Sequence, residues 1–311
     1  MKTHTLVARS PAKINLFLHI VGKRTDNYHL LESIFCPVGL SDHIEIALTP
    51  RTDPRIQITR TGDLLHIPQD NDLTVKACLE FFRHTHMPHG WNITLHVNKN
   101  IPEQAGLGGG SSNAASTLKL LQQHFNNPIA PHTLHTLAQQ LGADVPFFLL
   151  GKTAFVEGIG EQITPLTGVK APLLILKPPI SCSTAQIFSD SQLTRDSKSV
   201  RIAVFDSVKR TESSANNNLN NANTHLLSFI RSKTCNALQQ VVESRENDWG
   251  AYFRQFSETV AQANPLLVRM TGSGSAMFAV FASPSQCSNA VKAVYSHPVL
   301  KQSQWFETHI E

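Results

Sequence analysis

Four of the five residues from Gly106 to Gly110 are glycine, and Ser111 and Ser112 follow directly. Glycine reaches positive φ without strain and lets backbone N–H groups approach a bound group closely. Ala114, Leu118, Leu121 and Phe125 continue at helical spacing, so the loop opens straight into an amphipathic helix. A helix N-terminus carries unpaired N–H groups and the positive end of the dipole, which together suit a phosphate. Ser111 and Ser112 add hydroxyls for phosphate or for a magnesium ion. A flexible turn would use the same residues. A second block, Ser10-Pro-Ala-Lys13-Ile-Asn15-Leu16, sets an ammonium and an amide two apart on one strand face. A solvated strand face would look the same. A third, Leu141-Gly-Ala-Asp144-Val-Pro-Phe-Phe148, puts a carboxylate between a helix-ending glycine and an apolar run. A charge there is costly unless paired. It suits a general base beside a phosphate site, and equally a helix cap or a turn. A fourth, Met270-Thr-Gly272-Ser273-Gly274-Ser-Ala276, is another small-residue loop leading into an apolar strand.

Common nucleotide and hydrolase patterns do not account for these blocks. Gly151-Lys152-Thr153 resembles the end of a Walker loop, but Pro146 stands where that loop needs its first glycine. A dinucleotide fingerprint starting at Gly106 would need glycine at Ser111. There is no Gly-x-Ser-x-Gly elbow and no His-Glu-x-x-His zinc motif.

The elements that must position these residues show in the apolar periodicity. Ile14 to Val21 predicts a strand, as do Ile44, Ile46 and Leu48, then Ile56 and Ile58, and most clearly Trp91, Ile93, Leu95 and Val97. Val75, Leu79 and Phe82 predict one helix, and Pro131 to Gly142 another with Leu134, Leu137, Ala138 and Leu141 inward. Leu173 to Leu176 predicts a buried strand ended by Pro178 and Pro179. Residues 190 to 223 are polar, with six Asn between Asn216 and Asn223, and predict a surface loop. Helical patterns follow around Ala237, Val241 and Val242 and around Phe253, Phe256 and Val260. A strand from Ala276 to Ala282 and a helix near Cys287 to Val294 complete the series. Helices and strands without strict alternation argue for α+β layers. A chain of 311 residues suggests two domains. The boundary is expected between residues 160 and 170, giving domains 1–163 and 164–311.

Composition narrows the class. Hydrophobic residues make up 41% and charged residues 16%, so the chain has the apolar content for a core and is not generally disordered. A formal net charge of +4 without any basic run permits an anionic ligand and argues against a nucleic-acid partner. Cys36, Cys78, Cys182, Cys235 and Cys287 are widely spaced with no Cys-x-x-Cys pair, which fits reduced thiols rather than a zinc site. Arg9, Ser10 and Pro11 break any signal-peptide core, and no apolar run approaches the ~18 residues of a membrane span. A cytoplasmic protein, monomer or homodimer, is the expectation.

Pro-Ala-Lys13-Ile-Asn15-Leu, then Pro102-x-x-x-Gly-Leu-Gly-Gly-Gly-Ser-Ser112-Asn-Ala-Ala, then Thr-Gly272-Ser273-Gly274-Ser resemble, in order and separation, the three motifs of the GHMP small-molecule kinases. Three further blocks resemble the branch whose acceptor is a cytidine-diphosphate sugar alcohol of the non-mevalonate isoprenoid route. They are Gly22-Lys-Arg-Thr-Asp-Asn-Tyr28-His29, Leu-Gly-Ala-Asp144-Val-Pro-Phe-Phe and Thr184-Ala-Gln-Ile-Phe188. The resemblance implies an α+β fold of two lobes with the active site between them. The N-terminal lobe, which binds ATP, would be ribosomal-S5-like, and the C-terminal lobe ferredoxin-like. The resemblance also implies a left-handed β-α-β crossover in the fold, an exception to the usual rule.

The resemblance also implies roles. ATP, with Mg²⁺ on its phosphates and Ser111 or Ser112 as a hydroxyl ligand, phosphorylates the acceptor's 2-hydroxyl. Asp144 takes the hydroxyl proton, while Lys13 stabilises the transferring phosphoryl and keeps Asp144 ionised. Lys99, Pro102, Gly106, Leu107, Gly108, Gly109, Gly110, Ser111, Ser112, Gly272, Ser273 and Gly274 bind ATP. Tyr28 and Phe188 sandwich the cytosine, His29 hydrogen-bonds it, and Asn15 and Thr184 hold the erythritol part. Tyr28 and Phe188 as core aromatics, and His29 as an ordinary surface histidine, are the plainer readings. Asp72-Leu73 stands where the family often has Asn-Leu beside adenine, and an Asp can accept from adenine but not donate to it. Two other functions compete: a kinase for mevalonate or homoserine, and a nucleotide- or RNA-binding α/β protein without chemistry. The aromatic pair argues against the first, and Lys13 with Asp144 against the second.

Overall fold

The computed structural model describes residues 2–85, 87, 89–167, 169–205, 219–244 and 248–311. They form an α+β protein of two compact units that interleave along the chain. The first comprises Met1–Ala12, Leu40–Ile101 and Gly108–Gly151, and the second Lys13–Gly39, Pro102–Leu107 and Lys152–Glu311. Two long strands, β1 (His4–Lys23) and β2 (His29–Pro50), each contribute to both units.

In the first unit the later part of β2 pairs antiparallel with β4 (Trp91–Asn98), and β4 pairs parallel with β3 (Ile56–Gly62). The register sets Ile44, Ile46 and Leu48 opposite Val97, Leu95 and Ile93, and all six are buried. The period-2 pattern thus places both apolar faces on one core. Helix α1 (Leu73–Thr85) buries Val75 and Phe82 as expected, but Leu79 is 40% exposed. Its inner stripe runs instead through Thr74, Ala77, Cys78 and Phe81. Helix α2 (Gly109–His124) buries Ala114, Leu118 and Leu121, and α3 (Pro131–Leu141) starts on Pro131 and stops at Gly142. The short α4 (Val145–Leu150) follows.

In the second unit the first part of β2 pairs antiparallel with β5 (Ala154–Gly158), and β5 with β6 (Gln162–Pro165). A separate antiparallel sheet has the order β10 (Gln304–His309), β7 (Pro172–Lys177), β9 (Met277–Val280), β8 (Leu267–Met270). Its core joins Leu174, Leu176, Met277 and Ala279 to Val241, Trp249, Phe256 and Val294 of the helices Ala237–Ser244, Trp249–Ala261 and Pro284–Ser296.

Several expectations are corrected. The strand expected at Ile14–Val21 extends from His4 to Lys23, its outer part alternating exposed Thr5, Val7 and Arg9 with the more covered Leu6, Ala8 and Ser10. The strand expected over Ala276–Ala282 is confined to Met277–Val280. The polar stretch 190–223 is not wholly loop. Residues 201–205 are helical and a helix runs from Leu219 to Lys233, while 206–218 lie outside the described residues. Asn favours turns over helices, but Leu226, Leu227 and Ile230 supply the buried face that overrides this preference.

Candidate active site

The second unit gathers three of the sequence blocks. Lys13 is 3% exposed and Asn15 is fully buried, which excludes the solvated strand face. The Lys13 ammonium donates to Asn15 Oδ1 at 2.7 Å and lies over the Phe35 ring, 4.9 Å from its centroid. Asn15 Nδ2 donates to Ser33 Oγ at 3.0 Å, and Ser33 Oγ donates to the Phe17 carbonyl. The Asn15 amide therefore orients Lys13.

The stretch Pro102–Leu107 is fixed by its backbone rather than flexible. Lys13 N donates to the Leu107 carbonyl at 2.9 Å, and Ala276 N to the Ala105 carbonyl at 3.2 Å. Gly106 has φ +73°, and a Cβ there would lie 2.2 Å from the Thr271 carbonyl oxygen, so only glycine fits. Thr271 Oγ1 accepts from Asn15 N at 3.1 Å, which ties the third motif to the first. Gly272 continues the packing: a Cβ on it would lie 3.0 Å from the Gly106 oxygen and 3.3 Å from Lys13 Nζ.

The Gly272 loop has its own supports. Asn236 Nδ2 donates to the Met270 and Gly272 carbonyls, each at 2.9 Å, and Trp249 Nε1 to the Ser275 carbonyl at 2.8 Å. Thr184 Oγ1 and Ser273 Oγ are hydrogen-bonded at 2.6 Å.

The first unit builds the glycine cradle. Gly108 is the N-cap of α2, left-handed at φ 72°, and no side chain caps the helix there. Its first-turn N–H groups remain available, as an anion site requires. Gly109 itself is helical. A Cβ on it would meet Lys99 Nζ at 3.0 Å, whereas one on Gly110 would meet only Leu73 Cδ1, at 3.7 Å. Lys99 thus sets a cation beside the cradle. It is paired with Asp42, whose fully buried carboxylate also accepts from Asn100 N and Ile101 N at 2.8 Å. Ser112 Oγ and both polar atoms of the Asn113 amide are buried with no partner among the described residues. Open N–H groups, a nearby ammonium and orphaned polar atoms fit a phosphate-bearing nucleotide.

Asp144 is half-buried at the N-cap position of α4, but its side chain makes no capping hydrogen bond, so a cap does not account for it. Asp72, in contrast, is a cap. Its Oδ1 accepts from Thr74 N at 2.9 Å and its Oδ2 from Arg60 at 3.2 Å. Both oxygens thus have structural partners where the family's Asn would face adenine.

Also in the second unit, Tyr28 is 59% exposed and is no core aromatic. The His29 and Phe188 rings lie 5.1 Å apart, tilted by 38°. Among the described residues no ring contact joins Tyr28 to Phe188. All five cysteines are free thiols, and burial pushes Cys36 up to about 12, so it is inert. No helix among the described residues is long and apolar enough to cross a membrane.

Comparison with known proteins gives the family. Residues 72–152 match the GHMP kinases N terminal domain. The 4-diphosphocytidyl-2-C-methyl-D-erythritol kinase of Burkholderia lata is 38% identical over 90% of this chain and 87% of its own. The enzyme of the same name from Paraburkholderia xenovorans is 39% identical over 91% and 88%. The chain belongs to the 4-diphosphocytidyl-2-C-methyl-D-erythritol kinase family of GHMP kinases. A crystal structure of a 4-(cytidine 5'-diphospho)-2C-methyl-D-erythritol kinase superposes on this GHMP kinase with TM-score 0.73 and 25% identity, covering 98% of this chain and 100% of that one. Homoserine kinase from Cytophaga hutchinsonii shares the fold at TM-score 0.66 and 13% identity, covering 99% and 94%.

Sequence reasoning missed several residues that support the motifs within each unit. Asp42, Ser33 and Asn236 act through buried hydrogen bonds, and no local pattern marks them. Nor does one mark Arg195. The cradle makes one prediction here. Gly109→Val should push Lys99 aside and weaken ATP binding by roughly 10- to 150-fold, the loss of one charge-assisted contact. Calorimetric titration of the folded variant checks it, and wild-type affinity would place ATP elsewhere.

Proposed function

We infer that this chain transfers the γ-phosphoryl group of ATP to the 2-hydroxyl of 4-diphosphocytidyl-2-C-methyl-D-erythritol. One observation carries the reading most. Lys13, the Pro102–Leu107 stretch and the Thr271–Gly274 loop form one hydrogen-bonded cluster in a chain 37–39% identical to enzymes of that name. In this assignment Asp144 accepts the hydroxyl proton, the acceptor oxygen forms the new bond to phosphorus, and ADP departs with the electrons of the broken one. Lys13 neutralises charge on the transferring group, and Asn15 orients Lys13 besides facing the erythritol part with Thr184. Lys99, Pro102, the 106–112 stretch and Gly272, Ser273 and Gly274 hold ATP. Tyr28, His29 and Phe188 hold the cytosine.

Ser111 or Ser112 would help hold a magnesium ion brought with ATP, which would supply further charge neutralisation. Residues 1–163 are the proposed ATP-binding domain, 164–311 the C-terminal domain, and the cytosol the proposed location.

The experiment is a coupled ADP-release assay offering the cytidine acceptor, its uridine analogue, mevalonate and homoserine. The cytidine compound should be turned over far faster than the others. Preference for mevalonate or homoserine would move the chain to another GHMP activity.

A further inference from the structure

We propose that Arg195 is a positioning residue that fixes His29 as its Nδ1–H tautomer and thereby sets which base the acceptor site accepts. The inference rests on the cytidine acceptor proposed above and adds a residue from the polar stretch that no motif covers. Arg195 Nε donates to His29 Nε2 at 3.1 Å. A guanidinium has no acceptor and keeps its charge, so Nε2 must offer a lone pair. A neutral imidazole has one N–H, which then sits on Nδ1. Nδ1 has no partner among the described residues, so the ring holds a donor in reserve.

The guanidinium is itself held on three backbone carbonyls. Its Nη1 donates to Leu193 at 3.0 Å, and its Nη2 to Phe188 at 3.2 Å and Asp190 at 2.7 Å. One side chain therefore orients His29 and also pins the backbone of Phe188, the ring that His29 leans on. His29, Phe188 and Arg195 are all half-buried, which leaves the two rings an accessible edge. Burial first, then the charges of Arg195 and Lys23, hold the His29 pKa below its ordinary value, so the ring is neutral at pH 7.

A fixed N–H donor distinguishes two pyrimidines. Cytosine presents an acceptor at ring N3, where uracil presents an N–H. The donor matches the first and opposes the second, leaving a polar group unpaired in the wrong complex.

The tautomer is read by long-range ¹H–¹⁵N correlation of the His29 ring in the labelled full chain, assigned by its loss in His29→Gln. Wild type should show Nδ1–H. In Arg195→Ala the ring should move toward Nε2–H and its titration midpoint should rise toward the ordinary ~6.5, because a nearby cation is removed.

Kinetics give the second arm. Arg195→Ala should raise KM for the cytidine acceptor by roughly 3- to 10-fold. It should shrink the cytidine-over-uridine preference by a similar factor and leave KM for ATP unchanged. In a His29→Ala background, the same Arg195 substitution should change the cytidine-over-uridine preference by less than about twofold, since coupled residues are not additive. An Nε2–H ring in wild type, or an Arg195 effect of full size without His29, overturns the proposal. If wild type does not phosphorylate the cytidine acceptor, the functional reading fails, and the ring spectrum still decides whether Arg195 sets the tautomer.

Discussion

Asp144→Asn should lower kcat by about 10²–10⁴-fold, the usual worth of a positioned general base, with ATP affinity within about twofold of wild type. The substitution keeps shape and removes the proton acceptor. The residue is only half-buried and its side chain does not cap α4, so the helix start does not depend on its charge. A drop in kcat with an unchanged melting temperature is therefore the expected pattern. Near-normal turnover would show that the acceptor hydroxyl loses its proton without help from residue 144.

Lys13→Met should reduce single-turnover phosphoryl transfer by roughly 10²–10³-fold, the scale reported for removing one preorganised electrostatic contact. Met fills most of the same volume beneath the Phe35 ring and deletes the charge. Asn15 Oδ1 then loses its 2.7 Å donor. An unsatisfied buried acceptor costs about 1–3 kcal/mol, which Thr271 Oγ1, at 3.3 Å, can partly offset. Losing a buried charge also removes its desolvation penalty. The thermal melt should accordingly shift by a few degrees while transfer collapses. Transfer close to wild type, in a variant that melts normally, would remove Lys13 from the chemistry.

Much of the chemistry was legible in the sequence because it rests on residues with special backbone needs. Gly106 and Gly108 adopt positive φ, and such positions announce themselves as glycine. The β4 strand and helix α2 were legible because their apolar spacing matched one period over their whole length. What was not legible acts through tertiary hydrogen bonds. Asp42 reaches Lys99 across 57 positions of sequence, and Arg195 reaches His29 across 166. No local pattern encodes either. The Gly109 side of the cradle also differs from a simple reading of glycine. There the backbone is helical, and the need for glycine comes from Lys99 and Ile101 crowding its missing Cβ. The helix at Leu219–Lys233 was masked by asparagines whose low propensity pointed to a loop.

The most direct test of the whole account is a single-turnover reaction of purified protein with γ-³²P-labelled ATP and 4-diphosphocytidyl-2-C-methyl-D-erythritol, with the product analysed by ³¹P NMR. The account predicts one labelled phosphate monoester on the 2-hydroxyl and one ADP per acceptor consumed, with the cytidine diphosphate intact. Release of labelled inorganic phosphate without acceptor modification, or label on any other position, would contradict it.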